Sequence, residues 1–208
     1  MKTLVLGGAR SGKSEWAEHL VTPPDSAASP DDVHVTYVAT ARPWGSTFDA
    51  DFACRIERHR ARRPSWWHTE DSRDLVDVLT ESSDQAAARQ TTILVDDLGT
   101  WLTHELAEVG MWDAEFGTDD WNKGLHAIGA RRDRLITALR RVPADGPNLV
   151  VVSPEVGMGI VPSYPSGGVF RDELGRLNAD VASVCDRVVL VVAGCALDLK
   201  GPHAPRSR

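Results

Sequence analysis

Short runs of Val, Ile and Leu alternate along the chain with longer stretches in which apolar residues recur every three or four positions. Five of the runs predict buried strands, because they lack the strict alternation of strands that have one solvated face. They cover residues 2–6, 33–39, 91–95, 148–152 and 187–193. Helices are predicted between them, at 13–22, 47–62, 72–82, 98–109, 123–142 and 169–184.

This alternation predicts an α/β fold with a mostly parallel sheet and helices on both faces. No stretch rich in Pro, Gly and Ser divides the chain, and a length of 208 residues suits a single core. We therefore predict one domain over residues 1–200. Residues 201–208 contain two prolines and no apolar stripe, a composition typical of a flexible tail.

Charge and cysteine content narrow the classes of function. The chain has 23 Lys and Arg against 30 Asp and Glu, and this net charge of −7 argues against a general nucleic-acid binder. Its three cysteines form no CxxC pair, which favours a reducing compartment over a disulfide framework. The longest apolar run, 188–193, is far shorter than the roughly 20 residues that span a bilayer. We therefore expect a cytoplasmic protein without nucleic-acid or membrane partners.

The strongest motif follows the first predicted strand directly. Residues 7–14 read GGARSGKS and fit the P-loop pattern G-x-x-x-x-G-K-[ST]. Such a loop turns backbone amides towards phosphate oxygens, Lys13 would reach the β- and γ-phosphates, and the Ser14 hydroxyl would bind Mg²⁺. The predicted nucleotide-binding residues are Gly7, Gly8, Ala9, Arg10, Ser11, Gly12, Lys13 and Ser14. The alternative is a glycine-rich turn that only packs the strand on the helix.

A P-loop enzyme also needs a carboxylate, at the end of a neighbouring strand, to organise the magnesium. The predicted strand 91–95 ends in two aspartates, and we assign this role to Asp96, with Asp97 as the fallback. A structural role stays open for this pair, because an aspartate after a strand also serves as a helix N-cap.

A second chemical feature is the arginine-rich segment RIERHRARRP at 55–64. At helical spacing Arg55, His59 and either Arg62 or Arg63 share a face, which suits a polyanion. A histidine there could act as a base, a metal ligand or a nucleophile. The alternative is a solvated surface helix with an incidental histidine.

Further motifs occur with these in order: ATARP at 39–43, EVGMGIVP at 155–162, FRDELGRLN at 170–178 and VVLVVAG at 188–194. The whole set closely resembles the bifunctional cobinamide kinase/cobinamide-phosphate guanylyltransferase family of cobalamin biosynthesis, from residue 1 to about residue 200. EVGMGIVP followed by FRDxxGRxN is specific to that family, whereas many families share the P-loop. The resemblance implies a single RecA-like P-loop domain that assembles as a homotrimer.

The resemblance also implies the reaction. Such an enzyme phosphorylates the aminopropanol hydroxyl of adenosylcobinamide, then combines the product with GTP to give adenosylcobinamide-GDP and pyrophosphate. GTP, ATP or both serve as nucleotide substrates, with Mg²⁺, and a histidine of the arginine-rich helix carries GMP as a phosphoramidate. By position, Lys13 and His59 would be catalytic and Ser14 and Asp96 would hold the metal. Besides residues 7–14, nucleotide contacts would fall on Ala39, Thr40, Ala41, Arg60, Ala61, Arg62, Arg63, Asp71 and Asp96.

Three positions depart from the family pattern. Many relatives carry two adjacent histidines in the arginine-rich helix, and the first commonly holds the nucleotide. Here that position is Arg58 and only His59 remains, so either His59 is the nucleophile or the covalent mechanism is altered. Relatives read W-x-T-x-E, whereas Trp67-His68-Thr69-Glu70-Asp71 has Asp71 at the position of the acid, with Glu70 beside it. Asp96 stands where some relatives carry glutamate.

Two other functions stay open. One is a P-loop small-molecule kinase without the guanylyltransferase step, in which the arginines only clamp phosphates. The other is a GTP-binding switch, but the guanine-reading motif N-K-x-D is missing, since Asn122-Lys123-Gly124-Leu125 lacks the aspartate.

Overall fold

A computed structural model of the chain describes residues 1–22, 34–41, 54, 57, 60–61, 63–84 and 91–204. Within these residues seven strands and five helices are present. The strands are β1 (Lys2–Gly7), β2 (His34–Ala39), β3 (His68–Glu70), β4 (Thr91–Asp96), β5 (Asn148–Pro154), β6 (Arg187–Val192) and β7 (Cys195–Lys200). The helices are α1 (Lys13–Val21), α2 (Leu75–Asp84), α3 (Leu98–Glu108), α4 (Asp119–Arg141) and α5 (Pro165–Val184).

All seven strands join one sheet in the order β3-β2-β4-β5-β1-β6-β7. Strands β1 to β6 run parallel, and β7 pairs with β6 in the antiparallel direction. β1 therefore lies inside the sheet, and its last residue, Gly7, is level with Pro154 of β5 and Val191 of β6. Parallel strands bring their carboxyl ends to one edge, so the loop after β1 emerges on the same side as the ends of β2 and β4.

Two buried clusters cover the two faces of this sheet. Successive strand residues point to opposite faces, and Leu4 packs into one cluster while the next residue, Val5, packs into the other. The first cluster contains apolar side chains of α2, α3, α4 and α5, and the second contains those of α1 together with Tyr37 and Trp67. Helices on both faces explain why the central strands are nearly continuous apolar runs. The predicted α/β class, with a mostly parallel sheet of the P-loop kind, is confirmed.

The five predicted strands are confirmed within two residues of their expected bounds. Helices α4 and α5 begin one turn earlier than predicted. The Thr118 hydroxyl accepts a hydrogen bond from the Trp121 amide and caps α4, and Pro165 stands in the first turn of α5. The predicted helix 47–62 lies mostly outside the described residues, but its described positions 54, 57, 60 and 61 are helical.

Two strands of the structure, β3 and β7, are not predicted from the sequence. β3 has only three residues, and β7 is an edge strand whose Leu197 and Leu199 are exposed, so neither shows the buried apolar run. The expectation that the strand ending in Asp96 neighbours the P-loop strand is wrong, because β5 lies between β4 and β1. Residues 201–204 form a turn, and the rest of the predicted tail lies outside the described residues.

In the part of the chain that the structure describes, no helix has the length and apolar content needed to cross a membrane.

Candidate active site

Glycine shapes both ends of the loop between β1 and α1. A Cβ atom at Gly7 would lie 2.4 Å from Ser11 Oγ, so no side chain fits there. Gly12 has φ +91°, a left-handed conformation that L side chains rarely adopt. Two backbone hydrogen bonds fix the loop: the Glu155 amide donates to the Gly7 carbonyl at 3.0 Å, and the Gly194 amide donates to the Ser11 carbonyl at 2.8 Å.

The N-terminus of α1 is directed into this loop. Its N-cap is Gly12, which has no side chain to occupy the first amides of the helix. Free amides and the partial positive charge of a helix N-terminus together bind anions such as phosphate. Lys13 Nζ lies 3.5 Å from the Gly8 carbonyl oxygen, across the loop from its own backbone. The loop of the GGARSGKS motif thus joins β1 to an uncapped helix N-terminus and carries a lysine close to its backbone, which is the geometry of a phosphate-binding loop.

The carboxylate of Asp96, at the end of β4, faces this loop. Its Oδ1 accepts a hydrogen bond from the Ser14 hydroxyl at 3.2 Å, and its Oδ2 accepts one from the Tyr37 hydroxyl at 2.6 Å. A buried carboxylate is costly unless it is hydrogen-bonded, and these two hydroxyls meet that requirement. Burial raises the pKa of Tyr37 well above its usual value and the charge of Asp96 raises it further, so this hydroxyl stays protonated as a donor.

The neighbouring aspartate has a different role. Asp97 is the N-cap of α3, where its side chain accepts a hydrogen bond from the Thr100 amide at 2.8 Å. Burial raises the pKa of Asp97, and the charge of Asp96 adds to the rise. The sequence leaves metal organisation and helix capping open for this pair. The geometry assigns helix capping to Asp97 and places Asp96 beside Ser14.

Residues at the end of β2 complete this edge of the sheet. Ala39 is in register with Asp96, and the Thr40 amide donates to the Asp96 carbonyl oxygen at 3.3 Å. The Thr40 hydroxyl donates to the Asp97 carbonyl oxygen at 2.6 Å, and Ala41 follows in a half-buried position. The predicted contacts at 39–41 thus lie beside the predicted metal-organising acid.

Arg63 brings the end of the arginine-rich segment to the α1 face of the sheet. Its guanidinium carbon lies 3.5 Å from the centre of the Tyr37 ring, a cation–π geometry. Its Nε atom is buried and has no hydrogen-bond partner among the described residues. Arg60 and Ala61 are exposed. The predicted nucleophile His59 and its neighbours Arg55, Arg58 and Arg62 lie outside the described residues.

Glu70 and Asp71 occupy different environments. Asp71 is exposed, whereas Glu70, at the end of β3, is buried and accepts hydrogen bonds from the Ser72 amide at 2.9 Å and the Arg73 Nε at 2.8 Å. These bonds, led by the one from the Ser72 amide, lower the pKa of Glu70 from its usual 4.5 to about 2. Glu70 therefore orders the turn between β3 and α2.

Tyr37 is the site residue that the sequence analysis misses, because a tyrosine in a predicted buried strand suggests only core packing. One feature of the sequence could have indicated its place in the site. Tyr37 lies two residues before Ala39, a predicted nucleotide contact, and residues two apart in a strand point to the same face. Trp67 belongs to the same buried cluster: it is only 6% exposed and stacks on Tyr37 with 6.3 Å between ring centroids.

A helix N-terminus open to phosphate, a lysine across the loop and a hydroxyl–carboxylate pair are the parts that bind a nucleoside triphosphate. The fold and the site together define a P-loop enzyme that acts on such a nucleotide.

Comparison with known proteins identifies the family. The model of the family "cobinamide kinase / cobinamide phosphate guanyltransferase" matches residues 3–199. The bifunctional adenosylcobalamin biosynthesis protein CobU of Escherichia coli K12 is 35% identical over 202 residues, which cover 96% of this chain and all of that protein. The corresponding protein CobP of Pseudomonas aeruginosa is also 35% identical, over 97% of this chain and 98% of its own length. The chain belongs to this family and is a transferase of cobalamin biosynthesis.

The low pKa of Glu70 makes a prediction about stability. Because folding lowers this pKa, the ionised carboxylate stabilises the fold above about pH 4.5, and the contribution is lost as the pH falls towards about 2. Glu70→Gln should therefore lower the urea midpoint of unfolding at pH 7, and its difference from wild type should shrink below pH 4.5. Asp71→Asn, at the exposed neighbour, is the matched control and should leave the midpoint unchanged. A deficit for Glu70→Gln that stays constant down to pH 3 would contradict the assignment.

Proposed function

We propose that this chain phosphorylates adenosylcobinamide and then transfers GMP from GTP to the new phosphate, through a histidine–GMP intermediate on His59. The observation that carries the proposal is the contact between Ser14 and Asp96 beside the P-loop, within a chain of this family. A nucleoside triphosphate bound there would have its phosphates in the cradle of residues 7–14. Its remaining part would lie towards the ends of β2 and β4.

In the kinase step the substrate hydroxyl attacks the γ-phosphorus, the bond to the β-phosphate oxygen breaks, and the hydroxyl proton passes to solvent water. Negative charge develops on the transferred group and on the leaving diphosphate. Lys13 and the amides at the start of α1 lie where they would stabilise that charge, which is the main contribution a protein makes to phosphoryl transfer.

Ser14 and Asp96 are suited to a magnesium ion. Mg²⁺ prefers oxygen ligands, and in phosphate-transfer sites it is held by one or two protein groups together with phosphate oxygens and water. When bound, the ion would neutralise charge on the phosphates. The Ser14 hydroxyl and the Asp96 Oδ1, 3.2 Å apart, would hold it.

In the guanylyl step an imidazole nitrogen of His59 attacks the α-phosphorus of GTP, and pyrophosphate leaves. The phosphate of the first product then attacks the same phosphorus, the N–P bond breaks, and His59 is regenerated. Covalent catalysis of this kind divides one difficult exchange into two displacements. Arg60 and Arg63, with Arg62 between them, would compensate the charge of the departing pyrophosphate.

Lys13→Ala should abolish most of both reactions, because both require a bound triphosphate and a positioned cation is worth several kcal/mol of transition-state stabilisation. The rates of cobinamide phosphorylation and of GMP transfer, measured with each nucleotide, test this. Lys123→Ala is the control, since Lys123 is exposed on α4 and pairs with Asp120 at 2.9 Å. Wild-type rates in Lys13→Ala would overturn the assignment of the P-loop.

His59→Ala should lose GMP transfer while it keeps much of the kinase activity. With labelled GTP, the wild-type protein should form a GMP adduct that is labile in acid and stable in alkali, as expected for a phosphoramidate. His126→Ala, at an exposed position of α4, should still form it. Mass spectrometry of the protein and of the corrinoid products measures both outcomes.

An adduct that persists in His59→Ala would place the nucleophile elsewhere. A wild-type protein that phosphorylates cobinamide but forms neither adduct nor adenosylcobinamide-GDP would favour the second candidate, a small-molecule kinase without the guanylyl step.

The exposed segment after β5 supports a homotrimer with a shared corrinoid site. Its Met158 and Ile160 side chains are 82% and 97% exposed, and Val161 and Tyr164 are also exposed. The Glu155 amide ties the start of this segment to Gly7 of the P-loop. Apolar groups beside a nucleotide site suit a large, partly apolar substrate or a neighbouring subunit.

Light scattering of the purified protein at micromolar concentration should report about three chains. A monomer with full activity would contradict the shared site. We expect the assembly to work in the cytoplasm.

A further inference from the structure

Tyr37 contacts both halves of the candidate site through different parts of its side chain. Its hydroxyl donates to Asp96 Oδ2 at 2.6 Å, and its ring lies 3.5 Å from the guanidinium carbon of Arg63. The residue is only 2% exposed, within β2. The hydroxyl and the ring can be removed separately, so the two contacts can be tested one at a time.

The hydroxyl contact fixes the orientation of Asp96. With Oδ2 bound to Tyr37, the other oxygen, Oδ1, is turned towards Ser14 and the P-loop. A hydrogen-bonded partner behind a metal-binding carboxylate orients the ligand, and its loss typically lowers metal affinity or activity 10- to 100-fold.

The ring contact fixes the position of Arg63. A guanidinium group stacked on an aromatic ring keeps its N–H edge available for a phosphate. Trp67 supports the ring in turn, because it stacks on Tyr37 with an interplanar angle of 26°. Arg63 thereby lies against the same side chain that contacts Asp96.

We propose that Tyr37 is a positioning residue that fixes Asp96 and Arg63 relative to each other, so that the metal-bound triphosphate and the Arg63 guanidinium meet in one geometry. The inference rests on the proposed function, since it assumes that GTP binds in the P-loop with Mg²⁺. Tyr37→Phe removes only the hydroxyl contact, whereas Tyr37→Leu removes the ring contact as well.

Calorimetric titration of the full chain with GTP, once with Mg²⁺ and once with EDTA, separates the two contacts. Tyr37→Phe should weaken binding of GTP with Mg²⁺ by about tenfold and leave metal-free binding unchanged. Tyr37→Leu should weaken both. Thr137→Val likewise removes one hydroxyl, from an exposed side chain of α4, and should match wild type.

A double-mutant cycle tests whether Tyr37 acts through Asp96. Tyr37→Phe should cause no further loss of Mg²⁺-dependent binding in an Asp96→Asn background, because the group that it positions is already disabled. A purely structural effect of the hydroxyl would instead add to that of Asp96→Asn.

A measurement on the unmutated chain covers the case in which Tyr37→Phe fails to fold. The chain has two tyrosines, so protein labelled with 3-fluorotyrosine should give two fluorine resonances, which Tyr164→Phe assigns. The Tyr37 resonance should shift when Mg²⁺ is added to the GTP complex.

A Tyr37 resonance that does not move, or wild-type binding of GTP with Mg²⁺ by Tyr37→Phe, would overturn this inference alone. Failure of the wild-type chain to bind GTP at all would instead overturn the proposed function.

Discussion

The carboxylate of Asp96 is buried at the edge of the sheet, and the candidate site is arranged around its need for hydrogen-bond donors. A buried acid without partners costs several kcal/mol. Two hydroxyls, of Ser14 on α1 and Tyr37 on β2, donate hydrogen bonds to Asp96, so the acid links two elements to β4.

The sheet order decides which residues can take part in this arrangement. β1 and β4 are separated by β5, so Asp96 could not reach backbone atoms of the P-loop through strand pairing. It contacts Ser14, which lies in the first turn of α1, because α1 returns across the sheet on the face towards which Asp96 points. The same face holds Tyr37, Trp67 and Arg63, whereas the four other described helices cover the opposite face. The chemistry is therefore concentrated on the face with the least helical cover among the described residues.

Much of this fold could be predicted from the sequence, because burial on both faces makes a parallel strand visible as an apolar run. β3 and β7 could not, since their pairing with β2 and β6 defines them and their composition does not. The P-loop and the acid of β4 were predictable as local patterns. The capping of a helix by Asp97 and the contact of Asp96 with Ser14 were not predictable in this way. They depend on the residue at which β4 ends and on the side of the sheet that α1 covers. The contacts of Tyr37 could not be predicted from a local pattern either, because they join it to residues 26 and 59 positions away.

The end of the arginine-rich segment meets the sheet at a bend. Arg63 lies in this bend after the helical positions 60 and 61, and its amide donates to the Arg60 carbonyl oxygen at 3.3 Å. Its guanidinium carbon lies over the Tyr37 ring, and the Tyr37 hydroxyl donates to Asp96. One tyrosine therefore contacts a cationic and an anionic side chain at the same edge of the sheet. A polyphosphate that carries its own cation needs groups of both charges in this way, because the cation prefers carboxylate oxygens and the phosphate oxygens prefer a guanidinium.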